Sequence, residues 1–192
     1  MVKKTTLFLF VLAVSVVLNL FLAYSYMSAN SGLQDLSVYK QAYLEIEKLV
    51  KIGRLGDVHH HADFKVYVNE RELPLYTSKN ILVNKFVHMH EGATNENVIH
   101  VEATGITLRQ FFRTIGVELS RKCLVYEGTS YCSSGNSTLK YYVNGVLNEE
   151  APDYYIEDKD KILISYSADS KADIDRQLNS IGSNACIQSK NC

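Results

Sequence analysis

The sequence has no tryptophan and only two prolines, Pro74 and Pro152, in 192 residues. Its 13 tyrosines, together with the low proline content, fit β-structure better than disorder. The chain also lacks an excess of charge, because its 20 Lys and Arg residues nearly balance its 21 Asp and Glu residues. This balance offers no electrostatic reason to expect a nucleic acid partner, and we exclude that class. The length allows one domain of ordinary size beside a membrane anchor.

Several signatures of catalysis are also missing. The sequence contains no nucleophile elbow, no phosphate-binding loop, no His-Glu-x-x-His motif and no zinc-finger spacing. It has no Cys-x-x-Cys, the usual spacing in thiol-disulfide oxidoreductases. We therefore expect a protein that is not an enzyme, with a metal-dependent hydrolytic activity as a minor alternative.

An apolar run marks the N-terminus. From Leu7 to Tyr26 the chain reads LFLFVLAVSVVLNLFLAYSY, twenty residues without a formal charge, which suits a helix that crosses a bilayer. Lys3 and Lys4 precede the run, so the positive-inside rule places the N-terminus in the cytoplasm and the C-terminal domain outside the cell. We predict a single-pass anchor in residues 1–30, in contact with membrane lipid. A cleaved signal peptide is the alternative, because Ala23-Tyr24-Ser25 and Met27-Ser28-Ala29 offer small residues at cleavage spacing.

A stalk helix is predicted next, in residues 31–56. Ser31-Gly32-Leu33-Gln34 resembles a capping box, and Gly53 and Gly56 are expected to end the helix. Apolar residues recur after the cap at alternating steps of three and four, at Leu36, Tyr39, Tyr43, Ile46 and Val50. We expect this seam to pack on the protein's own domain, because two heptads are too few to hold a coiled coil alone. Homo-oligomerisation through the stalk helix is the alternative.

Residues 57–168 carry the pattern of an α+β domain. A first hairpin is predicted to turn at Asn69-Glu70 after the strand Ala62–Val68, and a second to join residues 86–90 and 98–102 through the turn EGATNEN. Thr107 caps a helix that Gly116 closes and that should cover the sheet. Further strands are predicted at residues 138–143, 154–156 and 161–166.

The tail, residues 169–192, is predicted to form a C-terminal helix with a disulfide-closed end. Ile174, Leu178 and Ile181 fall on one helical side. All four cysteines lie beyond the anchor, where an oxidising compartment allows structural disulfides. Locality favours the pairs Cys123 with Cys132, around a turn at Glu127-Gly128, and Cys186 with Cys192. Asn136-Ser137-Thr138 is a glycosylation sequon.

The order of two strands, a covering helix and further strands is that of a β-grasp domain. The segment from His59 to about Tyr166 resembles an uncharacterised family of archaeal membrane-anchored, histidine-rich proteins, and it is similar to ubiquitin-like β-grasp modules. The matching stretches are HHADFKVYVN, FVHMHEG, VIHVEATGITLRQFF, the Cys123 and Cys132 pair, LKYYVNG and DKILISY. The resemblance implies the fold and an extracytoplasmic location, and it names no activity.

All six histidines fall between His59 and His100. Residues two apart in a strand share a face, so His88 and His90 point one way, as do His100 and Glu102. A simple hairpin through EGATNEN would place His88 opposite His100 and keep His90 on the same face. Three imidazoles at this spacing can reach one zinc or copper ion.

Other residues are candidates to complete this site. His59 and His61 share a face at the entry to the first strand, and either could supply a fourth ligand. Asp63 continues this face and is a candidate acceptor for a ring that binds the ion. Glu91 and Glu102 are candidate carboxylate ligands or acceptors for such rings.

Two functions follow from these patterns. The first is a membrane-tethered, extracytoplasmic domain that binds copper or zinc for acquisition, buffering or delivery. The second is a cell-envelope module that docks a partner protein through its sheet edges, with the histidines forming only a polar, pH-sensitive surface.

Overall fold

The computed structural model describes residues 2–92, 96–168, 170–190 and 192. Within the N-terminal helix it describes the side chains of residues 8–12, 14–33 and 40. The chain divides into two compact units, residues 1–50 and residues 51–192.

The first unit is one helix, α1, which spans Val2–Val50. Its stretch Phe8–Leu33, 26 residues, is long and apolar enough to cross a bilayer. The side chains described in this stretch are exposed, so no protein core accounts for their apolar character. A signal sequence near the N-terminus meets the same criteria of length and composition.

The predicted start of a separate stalk helix at Ser31 was wrong. The Ser31 hydroxyl donates to the Ser28 carbonyl at 2.8 Å, which is a bond within a continuing helix and not an N-cap. The helix then ends at Val50, before the predicted glycines Gly53 and Gly56. The side chains of the predicted apolar seam, at 36, 39, 43, 46 and 50, lie outside those described.

The second unit contains ten described strands: β1 His60–Val68, β2 Arg71–Glu72, β3 Val87–His88, β4 Val98–Val101, β5 Val117–Leu119, β6 Cys123–Tyr126, β7 Thr129–Cys132, β8 Thr138–Val143, β9 Val146–Leu147 and β10 Lys161–Ser167. Seven of them form a mixed sheet in the order β3-β4-β1-β10-β8-β9, with β2 paired to β1. The central strands β1 and β10 are parallel, and the other pairs in this sheet are antiparallel.

Tight turns set the register of the outer hairpins. Asn69 and Glu70 both have positive φ, 48° and 66°, at the end of β1. Asn144 and Gly145, which lie between β8 and β9, also have positive φ, 53° and 80°. Positive φ at both central residues is the type I′ turn, whose twist matches that of paired strands. The predicted turn at Asn69-Glu70 is thus confirmed.

Helix α2, Leu108–Thr114, covers one face of the sheet. Thr107 caps it and forms a reciprocal capping box with Gln110. Phe111 and Phe112 are fully buried and place their rings 5.4 and 5.5 Å from that of Phe64 in β1. The parallel central strands with one covering helix confirm the α+β class and have the predicted β-grasp-like arrangement.

Two short helices lie at the C-terminus: α3, Lys171–Ser180, and α4, Asn184–Gln188. Leu163 of β10 points away from the α2 core and packs against apolar residues of α3 and its C-cap, which are Ile174, Leu178 and Ile181. The predicted C-terminal helix is confirmed, whereas α4 was not predicted. Helix α4 donates the Ala185 N–H to Asp63, which alternates along β1 with the core residues Ala62 and Phe64, so both helices lie on the sheet face opposite α2.

A three-stranded sheet, β5-β6-β7, extends the core beside α2. The hairpin of β6 and β7 turns at Glu127-Gly128 and pairs Cys123 with Cys132, which form a disulfide. Cys186 and Cys192 form the second disulfide, so both predicted pairs are confirmed. The strand expected at 154–156 was wrong: a 3₁₀ turn, Ala151–Asp153, leads to a single bridge at Tyr155. Asn136 is exposed.

Candidate metal centre

Three adjacent strands bring histidines together on the sheet face opposite α2. His100 in β4 pairs with His88 in β3 on one side and with His61 in β1 on the other. Both chain neighbours of His88 and of His100, and Ala62 beside His61, belong to the hydrophobic core. Strand alternation therefore turns the three rings to the other face. The predicted pairing of His88 with His100 is confirmed. The pairing of His61 with His100 was not predicted.

His59, just before β1, and His90, just after β3, complete the histidine cluster, which comprises His59, His61, His88, His90 and His100. The ring of His100 lies at its centre. Its centroid is 4.3 Å from that of His59, 4.6 Å from those of His61 and His90, and 5.0 Å from that of His88.

One half of the cluster consists of His88, His90 and His100. Nε2 of His90 lies 3.1 Å from Nε2 of His88 and 2.5 Å from Nδ1 of His100. Two nitrogens bound to one tetrahedral zinc ion at about 2.0–2.1 Å are about 3.3 Å apart. The three ring nitrogens therefore need only small shifts to surround an ion, and these residues are a group that could hold one.

The other half consists of His59, His61 and His100, which also form a group able to hold an ion. Nε2 of His100 lies 3.1 Å from Nε2 of His59 and 3.0 Å from Oε1 of Glu102. The same Glu102 oxygen lies 3.4 Å from Nδ1 of His59. A carboxylate is thus in place to bind an ion or to accept a proton on this side.

Hydrogen bonds define the tautomer of His61. Asp158 accepts the hydroxyl proton of Ser189 at 2.6 Å, so the Ser189 oxygen is free to accept from Nδ1 of His61, which lies 3.1 Å away. Asp158 also accepts the backbone N–H of His61 at 3.0 Å. His61 therefore carries its proton on Nδ1 and presents the lone pair of Nε2, the form that binds a metal.

His88 has no side-chain acceptor of this kind. Its Nδ1 is buried and makes no hydrogen bond of standard geometry among the described residues, although the Asn84 backbone acts to raise the pKa of the ring against the larger effect of burial. A histidine that binds a metal commonly donates its other N–H to an acceptor, so the two halves of the cluster differ in how firmly their rings are oriented.

Burial keeps the central rings neutral. His61 is 4% exposed, and His88 and His100 are each 7% exposed. Desolvation lowers the pKa of all three below 6.5, and that of His100 to about 3. Neighbouring imidazoles lower these pKa values further, because a second positive charge would lie against the first. At neutral pH the rings are available as neutral ligands.

The remaining predicted residues lie at different distances from the rings. Glu102 contacts the cluster as expected. Asp63 was expected beside the rings, but its buried carboxylate accepts the N–H of Ala185 at 3.2 Å and so holds the start of α4. Glu91 is exposed just after His90.

The sequence did not predict Asp158 and Ser189 as part of the site. They lie 97 and 128 positions from His61 and belong to no recognisable motif.

No protein-family model, curated protein or solved structure matches this chain. The resemblance to archaeal membrane-anchored proteins stays a prediction.

Proposed function

We propose that this chain binds a zinc or copper ion through its histidine cluster and serves in the acquisition, buffering or delivery of that ion outside the cytoplasm. The observation that carries the proposal is the convergence of ring nitrogens from His88, His90 and His100. Nε2 of His90 lies 3.1 Å from Nε2 of His88 and 2.5 Å from Nδ1 of His100.

Ligand chemistry favours zinc and copper over calcium or magnesium. The cluster offers neutral imidazole nitrogens and one nearby carboxylate, Glu102, whereas calcium and magnesium prefer a shell of oxygen ligands. Imidazole binds zinc and copper well, and burial of the central rings excludes competing water.

The accessibility of the cluster suits exchange of an ion. The side chain of His59 is 63% exposed, while His100 behind it is almost fully buried. An ion can therefore be taken up or released at the exposed side through His59, as buffering or delivery requires.

Two features support a tethered, extracytoplasmic location. Lys3 and Lys4 precede the apolar part of α1, and this charge bias favours a cytoplasmic N-terminus. The two disulfides in the second unit suit an oxidising compartment. A tether would hold the bound ion close to membrane proteins that take it up or supply it.

The test uses the full-length chain in detergent micelles, purified without a histidine tag and stripped of metal by a chelator. Zinc binding is measured by calorimetry, and retained metal by elemental mass spectrometry. The test variant is His59→Ala/His90→Ala, which removes one ligand from each group without touching a buried ring. We expect the variant to bind zinc about 100-fold more weakly or worse, because the loss of partners that only orient a ligand already costs 10–100-fold.

The matched control is His60→Ala. His60 belongs to neither group, and alternation along β1 turns its side chain away from that of His61. Its loss should leave zinc affinity unchanged. A parent chain that binds no zinc at micromolar concentration would overturn the proposal and favour the docking module. So would a control that weakens binding as much as the test variant.

A further inference from the structure

We propose that the histidine cluster holds two metal ions, and that the imidazole of His100 bridges them. The inference rests on the proposed function and extends it from one ion to a pair. It depends on the two nitrogens of a single ring facing two different sets of ligands.

On the first side of His100, Nδ1 faces β3. It lies 2.5 Å from Nε2 of His90, which in turn lies 3.1 Å from Nε2 of His88. These three nitrogens make up one complete group of ligands. An ion bound here would leave Nε2 of His100 unused.

On the second side, Nε2 of His100 faces the entry to β1. It is 3.1 Å from Nε2 of His59 and 3.0 Å from the Glu102 carboxylate. His61 adds Nε2, since Ser189 accepts from its Nδ1. This side thus has three nitrogens and one oxygen, enough for a tetrahedral ion.

The two groups share no member except His100. The lone pairs of the two nitrogens of an imidazole point in different directions, so one ion cannot use both. When the first side is filled through Nδ1 of His100, the second side is empty, or is filled by His59, His61 and Glu102 alone, or also uses Nε2 of His100. The last arrangement uses every ligand of the cluster.

Bridging requires His100 to lose its ring proton. As the second ion binds, the N–H proton leaves to solvent, and the ring becomes an imidazolate with one lone pair directed at each ion. The negative charges of the imidazolate and of Glu102 reduce repulsion between the two cations. The buried position of His100, 7% exposed, keeps water from replacing it as a ligand.

The test is a titration of the metal-free, full-length chain with Cu(II) in detergent micelles, followed by electron paramagnetic resonance and elemental analysis. The first equivalent should give a signal of about one spin per chain. The second equivalent should bind and also lower the signal towards zero, because a bridging imidazolate couples the two unpaired electrons antiferromagnetically.

Two variants separate the two sides. His90→Ala leaves two ligands on the first side, and the double variant His59→Ala/Glu102→Ala leaves two on the second. All three residues are more accessible than the central rings. Each variant should bind one Cu(II) instead of two and keep its full signal at saturation. His60→Ala should behave as the parent chain does.

The outcomes distinguish this inference from the proposed function. A parent chain that binds a single Cu(II), or two with independent signals, overturns the shared bridge and leaves metal binding intact. A parent chain that binds no Cu(II) and no zinc overturns both. A loss of both ions in each of these two variants would show one joint site and would also overturn the bridge.

Discussion

The hydroxyl of Ser189 lies 3.1 Å from Nδ1 of His61, although 128 positions separate the two residues. The contact joins the last helix of the chain to the first strand of the sheet. Asp158 accepts the Ser189 proton, so a carboxylate and a hydroxyl together orient a ring that contacts the centre of the histidine cluster.

Ser189→Ala should weaken metal binding without unfolding the protein. The variant removes the acceptor that holds His61 in its ligand tautomer, and such a loss typically costs 10–100-fold in affinity. Zinc affinity by competition with a chromogenic chelator would measure the effect. Ser183→Ala is the matched control, because Ser183 lies on the same tail, is exposed and accepts from Lys161. Equal affinities for the two variants would contradict the role assigned to Ser189.

The metal-free protein should lose stability in mild acid. His61, His88 and His100 have lowered pKa values in the folded state, so the unfolded chain binds their protons more readily. This contribution to stability is fully present above pH 6.5, the ordinary histidine value, and decreases as the pH falls towards the His100 pKa of about 3. Each pKa unit of separation corresponds to about 1.4 kcal/mol.

Thermal unfolding in excess chelator, compared between about pH 7.5 and about pH 5, measures this dependence through the melting temperature. The His100→Gln variant should show a shallower dependence, because it lacks the ring with the lowest pKa. If this variant and the parent chain respond equally to pH, His100 does not set the dependence.

Asp63→Ala should release α4 from the sheet. Burial raises the pKa of Asp63, and its carboxylate accepts the N–H of Ala185 at the first turn of the helix. Removing the carboxylate leaves the buried N–H of Ala185 without an acceptor, and we expect a loss of about 1–3 kcal/mol in the free energy of unfolding. Because Ser189 directly follows α4 as its C-cap, zinc affinity should also fall. Chemical denaturation measures the loss in the free energy of unfolding. The control is Asp175→Ala, at an exposed position of α3, which should change neither that free energy nor the zinc affinity.

Gly105→Ala should destabilise the protein far more than Gly128→Ala. Both glycines have φ near +76°, so each substitution costs about 1–2 kcal/mol in backbone strain. A Cβ at Gly105 would also lie 2.1 Å from the Lys51 carbonyl oxygen, whereas one at Gly128 meets nothing within 4 Å. The difference in the unfolding midpoint between the two variants isolates the steric clash. Similar midpoints would mean that the segment around Lys51 moves away at little cost.

Local patterns in the sequence were sufficient for much of the fold. Thr107 and Gly116 bound α2, the pair Asn69-Glu70 turns the first hairpin, and neighbouring cysteines form both disulfides. Ser31 shows where such a pattern is wrong. A serine at the head of an apolar repeat resembles an N-cap, but the residues before it are also helical, and its hydroxyl bonds backwards to Ser28.

The sequence by itself determined half of the candidate site. Because side chains alternate along strands, a single hairpin was enough to predict that His88 lies opposite His100 with His90 on the same face. The tertiary structure alone decided the other half. Strand β1 lies beside β4, and α4 packs on the face that they share, so His61 meets His100 on one side and Ser189 on the other. Contacts across nearly the whole chain depend on the order of strands in the sheet, and no local periodicity encodes that order.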